Sequence, residues 1–320
     1  MDINTLEELR DKQLISQDQF NKFEPVISGK LVSLFYELRT LLYLGVLLFT
    51  SGVGILVYEN IGEVGHIIAI GLLSLVTLAC FWFVVTKGVP FSKDQVRPPT
   101  PYYDYIVLLG SLLFISVQGY LQFQYQILDE NLGWSTLISA VIFITVAYRY
   151  DHIGVLSLGI TALASFFSLS VSPQKWYSSE FLETANLHIT AIYFGAALCA
   201  AAMALDWKSI KKHFTFTYIN FGLLIFFVGA TAGLFEGLLY GIYLLLIYGG
   251  CAFAVFYANR ERSFLFLLYA FVFAYIATTY LLADWVFSEV PELIFYYSII
   301  SCGGFVYFIV SYKKFFKRKE

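Results

Sequence analysis

Ten apolar runs of membrane-spanning length constrain the fold of this chain more than any other feature. A helix rises 1.5 Å per residue, so crossing a hydrocarbon core about 30 Å thick takes about 20 residues. Only 13% of the 320 residues are charged, whereas soluble domains average about 25%. The runs predict an all-α, polytopic transmembrane helix bundle of about ten spans, at about 38–58, 66–86, 104–124, 134–149, 153–172, 187–206, 214–234, 237–258, 263–282 and 294–312.

The basic residues provide an independent test of this count. With the N-terminus in the cytoplasm, 19 of the 20 Lys and Arg residues fall on cytoplasmic segments, and only Lys175 falls outside. Such a bias is the rule in membrane proteins. We therefore predict a multi-pass protein of a bacterial cytoplasmic (inner) membrane with both termini cytoplasmic. The opposite loops carry acidic residues instead, namely Glu59, Glu63, Asp129, Glu130, Glu180, Glu183, Glu236, Asp284, Glu289 and Glu292.

Three regions follow from this layout. Residues 1–33 form a cytoplasmic helical hairpin, residues 34–312 the ten-helix bundle, and residues 313–320 a basic cytoplasmic tail. The fourth run is short, so its helix is expected to reach Leu132 and Tyr150.

The hairpin is predicted from capping signals and one apolar seam. Ser16 and Gln19 form a capping box at the start of its second helix. So small a unit cannot bury much core alone. Docking as a cap on the bundle is the preferred interpretation, and a surface for a protein partner is the alternative. The seam residues that would bind such a partner are Leu6, Leu9, Phe20 and Phe23.

A stripe of glutamines marks the outer half of the third span. Gln118 and Gln122 lie four residues apart and share one helix face. They predict either hydrogen bonds between helices or the lining of a polar cavity. Tyr218 and Asn220 form a comparable polar patch in the seventh span.

Glycines recur every four residues around the end of the seventh span, at Gly229, Gly233, Gly237 and Gly241. Small residues at this spacing favour close helix packing. The alternative is a partly unwound segment that places Glu236 in a transporter-like cavity.

The turn between the fourth and fifth spans is very short and carries Arg149 and Asp151. We interpret these two residues as an inner structural clamp, paired with each other or with the hairpin.

Catalysis is not expected. Ionisable residues at the bilayer centre usually mark function, and the spans show none there. The four histidines have no His or Cys neighbour at metal-ligand spacing, and the loops are small. We predict no enzyme activity, no cofactor, no metal and no nucleic-acid partner. The expected partner is the lipid bilayer.

The N-terminal pattern Leu6-x-x-Leu9-x(4)-Leu14-Ile15-Ser16, followed by many spans, resembles an uncharacterised family of bacterial predicted membrane proteins. The stretch from Tyr148 to Pro173 also resembles that family. The resemblance implies no particular activity or site. The ten-span layout is also that of drug/metabolite transporters, although no internal sequence repeat supports this analogy.

Two functional hypotheses remain. The first is a non-catalytic membrane scaffold or sensor that engages a partner through residues 1–33, and it is preferred because charged coupling residues are absent from the spans. The second is a permease for a small neutral or amphiphilic solute, with a midplane cavity lined by Gln118, Gln122, Asn220 and nearby tyrosines.

Overall fold

Ten long helices make up the computed structural model, which describes residues 16, 20, 35–60, 63–125, 132–171, 187–237, 240–287 and 289–317. A short π-helical segment, Ala283–Phe287, extends the ninth helix. The predicted all-α bundle is thereby confirmed, including the extension of the fourth helix to Leu132 and Tyr150. The helices are α1 (Phe35–Asn60), α2 (Glu63–Lys87), α3 (Tyr103–Tyr125), α4 (Leu132–Tyr150), α5 (Ile153–Val171), α6 (Leu187–Trp207), α7 (Lys212–Phe235), α8 (Tyr240–Glu261), α9 (Phe264–Leu282) and α10 (Leu293–Lys317).

Seven of these helices are long and apolar enough over their described residues to cross a membrane, namely α2, α3 and α6 to α10. Two others, α1 and α5, contain shorter apolar stretches at Leu38–Val53 and Ile153–Ser168. This is consistent with a count of about ten spans.

The chain divides into two compact units, Met1–Leu75 and Val76–Glu320, with the division inside α2. Most of the predicted hairpin, with Leu6, Leu9 and Phe23, lies outside the described residues. Of its seam only Phe20 is described: its side chain is buried, and its N–H donates a 2.9 Å hydrogen bond to the Ser16 carbonyl, as in a helical turn. The charged side chains of the 313–320 tail also lie outside the described part.

Glycines bring α6 and α7 into close contact in the second unit. A Cβ placed on Gly195 would lie 2.6 Å from the Gly222 carbonyl oxygen, and one on Gly229 would lie 2.8 Å from the His188 carbonyl oxygen. Backbones this close leave no room for a side chain. Gly233 is similarly covered by the Tyr243 ring of α8. Close packing therefore accounts for the first half of the glycine stripe.

Gly237 and Gly241, the second half of the stripe, do not share this close packing. Helix α7 ends at Phe235, and Gly237 adopts a left-handed φ of 75°, which only glycine adopts without cost. A Cβ on Gly241 would meet nothing within 4 Å. Glu236 therefore follows the end of α7 and does not sit in an unwound segment within it.

Stacked aromatic rings connect α7 with α9 and α9 with α10. Phe227 of α7 stacks on Phe273 of α9 with centroids 4.5 Å apart, and Phe271 of α9 stacks on Phe308 of α10 at 4.2 Å. The candidate span of α10 has no buried residue. In lipid this helix presents most of its surface to acyl chains.

The close approach of α6 and α7 predicts a sharp difference between two glycine-to-alanine changes. Gly195→Ala forces a methyl group against the backbone of α7 and should lower the free energy of unfolding by about 1–3 kcal/mol. Gly249→Ala adds the same methyl where nothing lies within 4 Å. It should leave stability unchanged or raise it by up to about 1 kcal/mol, since alanine favours helix. Thermal unfolding of both variants in detergent measures the difference, and equal melting temperatures would contradict the packing described.

Candidate ligand cleft and charged end

The Gln118 side chain bridges α3 and α4. Its Nε2 donates to the Ser135 carbonyl oxygen at 2.5 Å and to Ser135 Oγ at 3.0 Å. Its Oε1 accepts a hydrogen bond from Ser139 Oγ at 2.5 Å. Both amide protons and the amide oxygen are therefore engaged by α4. Gln118 therefore makes the predicted hydrogen bonds between helices and also lines a cavity, which lies beside this bridge.

This cavity, which we call the glutamine cleft, has a volume of about 440 Å³ and lies between α3, α4 and α5. A smaller cavity of about 260 Å³ borders the same bridge on the side of Phe114 and Ile138. No charged side chain is among the residues that line the glutamine cleft. Its polar lining consists of Gln118, Gln122, Ser135, Thr136, Ser139, Thr161 and Ser165.

Local packing explains why the cleft opens at this level. Helices α4 and α5 are in close contact, since a Cβ on Gly159 would lie 2.9 Å from the Ile144 side chain. Helix α3 touches α4 through an edge-to-face contact of Phe114 with Phe143, 5.9 Å between centroids, and then through the Gln118 bridge. The cleft is the space that remains between α3 and the α4–α5 pair.

Three hydroxyl groups of the cleft donate their protons to carbonyl groups of their own helices. Thr161 donates its proton to the Ser157 carbonyl at 2.9 Å, and Ser165 donates to the Thr161 carbonyl at 3.0 Å. Thr136 donates to the Gly133 carbonyl at 2.8 Å. A hydroxyl oxygen retains lone pairs after donating its proton. The small polar part of the lining thus offers mainly acceptors, while most of the cleft surface is apolar. This suits a neutral, largely apolar ligand that carries a hydroxyl or N–H group.

At one end of the second unit, a buried carboxylate organises three connections. Asp151 Oδ1 lies 2.5 Å from His213 Nε2, and Oδ2 lies 3.1 Å from Lys211 Nζ. The side chains of Asp151 and Lys211 are only 4% and 1% exposed, so the two charges are mutually compensated away from water. Asp151 also accepts a 2.5 Å hydrogen bond from the Val96 N–H.

Both residues of the pair hold a left-handed backbone, with φ of 60° at Asp151 and 47° at Lys211. Such conformations cost about 1–3 kcal/mol each in non-glycine residues and persist where surrounding contacts fix them. Lys211 has those contacts: its N–H donates to the Lys93 carbonyl at 2.8 Å, and its Nζ donates to the Asp94 carbonyl at 3.2 Å.

The two residues predicted as an inner clamp contact the same segment. Arg149 donates to the Val89 carbonyl at 2.7 Å, while Asp151 binds Val96. Arg149 and Asp151 therefore attach residues 88–102 to the end of α4, and they do not pair with each other. His152 adds a third tie, because its Nε2 lies 2.9 Å from the Asp104 carbonyl oxygen at the start of α3. Sequence reasoning missed Lys211, His213 and His152, since their partners lie 48 to 62 residues away.

The remaining predicted cavity residues lie elsewhere. Tyr218 accepts a 3.2 Å hydrogen bond from the Tyr148 hydroxyl. Asn220 accepts one of 2.8 Å from Tyr269. Neither side chain lines the glutamine cleft, so the structure brings Gln118 and Gln122 together but not Tyr218 and Asn220 with them.

Glu236 forms a separate polar group with two residues of neighbouring helices. Its Oε1 lies 3.0 Å from Nδ1 of the buried His188, and the other ring nitrogen of His188 lies 2.7 Å from the Tyr243 hydroxyl. This group ties the turn after α7 to α6 and α8, apart from the cleft.

Fold and site together define a helical membrane protein with several apolar helices, an uncharged cleft and a charged end. Residues 7–156, slightly less than half of the chain, match the family described as "Predicted membrane protein (DUF2157)". The predicted resemblance to an uncharacterised membrane-protein family is thereby confirmed. The match ends just after Asp151 and thus includes α3 and α4 of the cleft. No curated protein and no solved structure matches the chain.

Among the described residues, no three His, Cys, Asp or Glu side chains could together hold a metal ion.

The burial of the Asp151 pair predicts a large effect of one conservative substitution. Asp151→Asn keeps a side chain that tolerates the left-handed backbone but leaves the Lys211 charge without its counter-ion. Breaking a buried pair in this way costs about 3–5 kcal/mol. Thermal unfolding in detergent measures the loss, and trypsin cleavage after Lys93 should become faster.

Asp206→Asn is the matched control. It removes the same charge from an ion pair with Arg260 whose side chains are 23% and 46% exposed. Exposed pairs contribute about 0–1 kcal/mol. Equal effects of the two substitutions would contradict the role given to burial at Asp151.

Proposed function

We propose that this protein is a non-catalytic membrane sensor that binds a small neutral or amphiphilic ligand in the glutamine cleft. The observation that carries the proposal is the cleft itself, an uncharged cavity whose wall is largely apolar and includes a few hydroxyl oxygens, among them those of Thr161 and Ser165, which donate their protons to their own helix. A ligand with a hydroxyl or N–H donor would satisfy these acceptors, and its apolar part would contact Ile115, Phe123 and Leu158.

The connection between the cleft and the charged end supports a sensor. Helix α4 carries Ser135 and Ser139 in the cleft and ends beside Arg149 and Asp151, which hold segment 88–102. Helix α3 is tied at its start to His152 and is hydrogen-bonded to α4 at the cleft. A ligand that replaces the Gln118 bridge would change the spacing of α3 and α4 and, through α4, the hold on segment 88–102.

The distribution of charge supports a cytoplasmic position for segment 88–102. Hydrogen bonds bring the end of α4, through Arg149, and the turn between α6 and α7, through Lys211, to this segment. Both regions carry Lys or Arg. The positive-inside bias supports a cytoplasmic position for this end of the bundle in a bacterial cell, and cytoplasmic termini are part of the proposal. Engagement of a protein partner by residues 1–33 remains a prediction, because these residues lie outside the described part apart from Ser16 and Phe20.

A cleft-filling substitution tests ligand binding. Gly119 lines the cleft, and a Cβ there would meet nothing within 4 Å, so Gly119→Leu adds a side chain at the cleft without a clash at its Cβ. The probe is N-phenyl-1-naphthylamine, a neutral aromatic amphiphile with one N–H donor. Saturable energy transfer from Trp134, next to the cleft residue Ser135, reports binding in a chain whose other four tryptophans are replaced by phenylalanine. Gly119→Leu should weaken binding at least tenfold.

Gly249→Leu provides the matched control, because it is also an exposed helical glycine with nothing within 4 Å of its Cβ and lies outside the cleft. It should bind the probe like the unaltered chain. Equal affinity of both variants would contradict binding in the cleft. Net movement of the probe across proteoliposome membranes, abolished by Gly119→Leu, would replace the sensor with the permease.

A further inference from the structure

We infer that the charged end of the bundle is a docking surface for anionic phospholipid headgroups. The surface, which we call the basic rim, consists of Lys93, Arg97, Lys208 and Lys212. It lies between the end of α2 and the start of α3 on one side and between α6 and α7 on the other. The inference does not depend on the glutamine cleft or on the proposed sensor.

Backbone contacts make the basic rim one surface. The Lys211 N–H donates to the Lys93 carbonyl at 2.8 Å, so Lys93 lies beside the turn that carries Lys208 and Lys212. Arg97 follows Val96, whose N–H donates to the Asp151 carboxylate that also binds Lys211. Four cationic side chains from distant parts of the sequence therefore share a small area.

The basic rim has a net positive charge because acidic residues nearby are neutralised internally. Asp151 is buried with Lys211 and His213, and Asp206 is paired with Arg260. By contrast, Lys93, Arg97, Lys208 and Lys212 are exposed, and none forms an ion pair with a described acidic side chain. Asp94 is the exposed carboxylate within this segment. The uncompensated positive charge complements an anionic partner.

Its position identifies that partner as a lipid. The basic rim follows directly on the ends of candidate spans that finish at Lys87 and Trp207 and precedes those that start at Tyr103 and Lys212. Four span ends at one place put the rim at headgroup level, where lipid phosphates are present at high local concentration.

Exposed aromatic residues strengthen this assignment. The side chain of Trp207, next to Lys208, is 89% exposed, and that of Phe91, two residues before Lys93, is 53% exposed. The Phe91 ring also lies 5.6 Å from Lys211 Nζ, which fixes it beside the rim. Aromatic and basic side chains in alternation are typical of the membrane interface, where the ring enters the acyl boundary and the cation meets the phosphate. A free anion would gain nothing from the rings.

Titration with dioctanoyl phosphatidylglycerol tests the inference. The full chain, with its four tryptophans other than Trp207 replaced by phenylalanine, is held in a nonionic detergent, and Trp207 fluorescence is followed at 50 mM and 500 mM NaCl. The unaltered chain should bind the lipid more weakly at high salt, because screening weakens contacts between exposed charges. The variant Lys93→Gln/Lys208→Gln/Lys212→Gln should bind about 100-fold more weakly, since each basic residue near an anionic membrane contributes about fivefold.

The matched control is Lys93→Arg/Lys208→Arg/Lys212→Arg, which keeps the charges and should bind within about threefold of the unaltered chain. Dioctanoyl phosphatidylcholine and inorganic phosphate, each at the same concentration, should neither bind with the same affinity nor displace the anionic lipid. The inference is overturned if the glutamine variant binds like the unaltered chain, if phosphatidylcholine binds equally well, or if inorganic phosphate displaces the lipid. Melting temperatures of both triple variants verify that any loss of binding is not a loss of folding.

Discussion

Hydrocarbon offers no hydrogen-bond partners, and the rest of this structure depends on that constraint. Each backbone group inside a membrane must be satisfied by its own helix, which is why the described chain is built from long helices. Side-chain hydroxyls obey the same rule: Ser111 donates to the Val107 carbonyl at 2.8 Å, and Thr145 donates to the Val141 carbonyl at 2.7 Å. Polar groups that reach beyond their helix mark the places where helices are joined specifically.

Two modes of helix association follow. Helices α6 and α7 meet through glycines, where dispersion contacts and close backbones replace side-chain packing. Helices α3 and α4 meet instead through an amide bridge, with Gln118 held by Ser135 and Ser139. The first mode leaves no space between helices. The second leaves a cleft, because one long polar side chain spans a distance that apolar side chains do not fill. The proposed ligand binding therefore belongs to the second mode.

Periodicity predicts local features of this fold, whereas long-range pairing does not follow from it. The ten helices and the shared face of Gln118 and Gln122 could be predicted from hydropathy and from the 100° spacing of helical residues. The partners of Asp151 could not, because His213 and Lys211 follow it by about sixty residues and nothing local indicates which turns meet. Asn220 was grouped with the glutamines because both are polar within spans, but the face of α7 that carries it contacts Tyr269 of α9.

The central claim is that successive helices cross a bilayer in alternating directions, so that the basic rim and the connection before α10 lie on opposite sides. Lys208 and Glu292 are exposed and are separated by the three helices α7, α8 and α9. Single cysteines at these two positions, in a chain whose four native cysteines are replaced by alanine, can be labelled in intact cells with a membrane-impermeant maleimide. The account predicts labelling of Glu292→Cys and protection of Lys208→Cys until the membrane is permeabilised. Labelling of both, or protection of both, would contradict it.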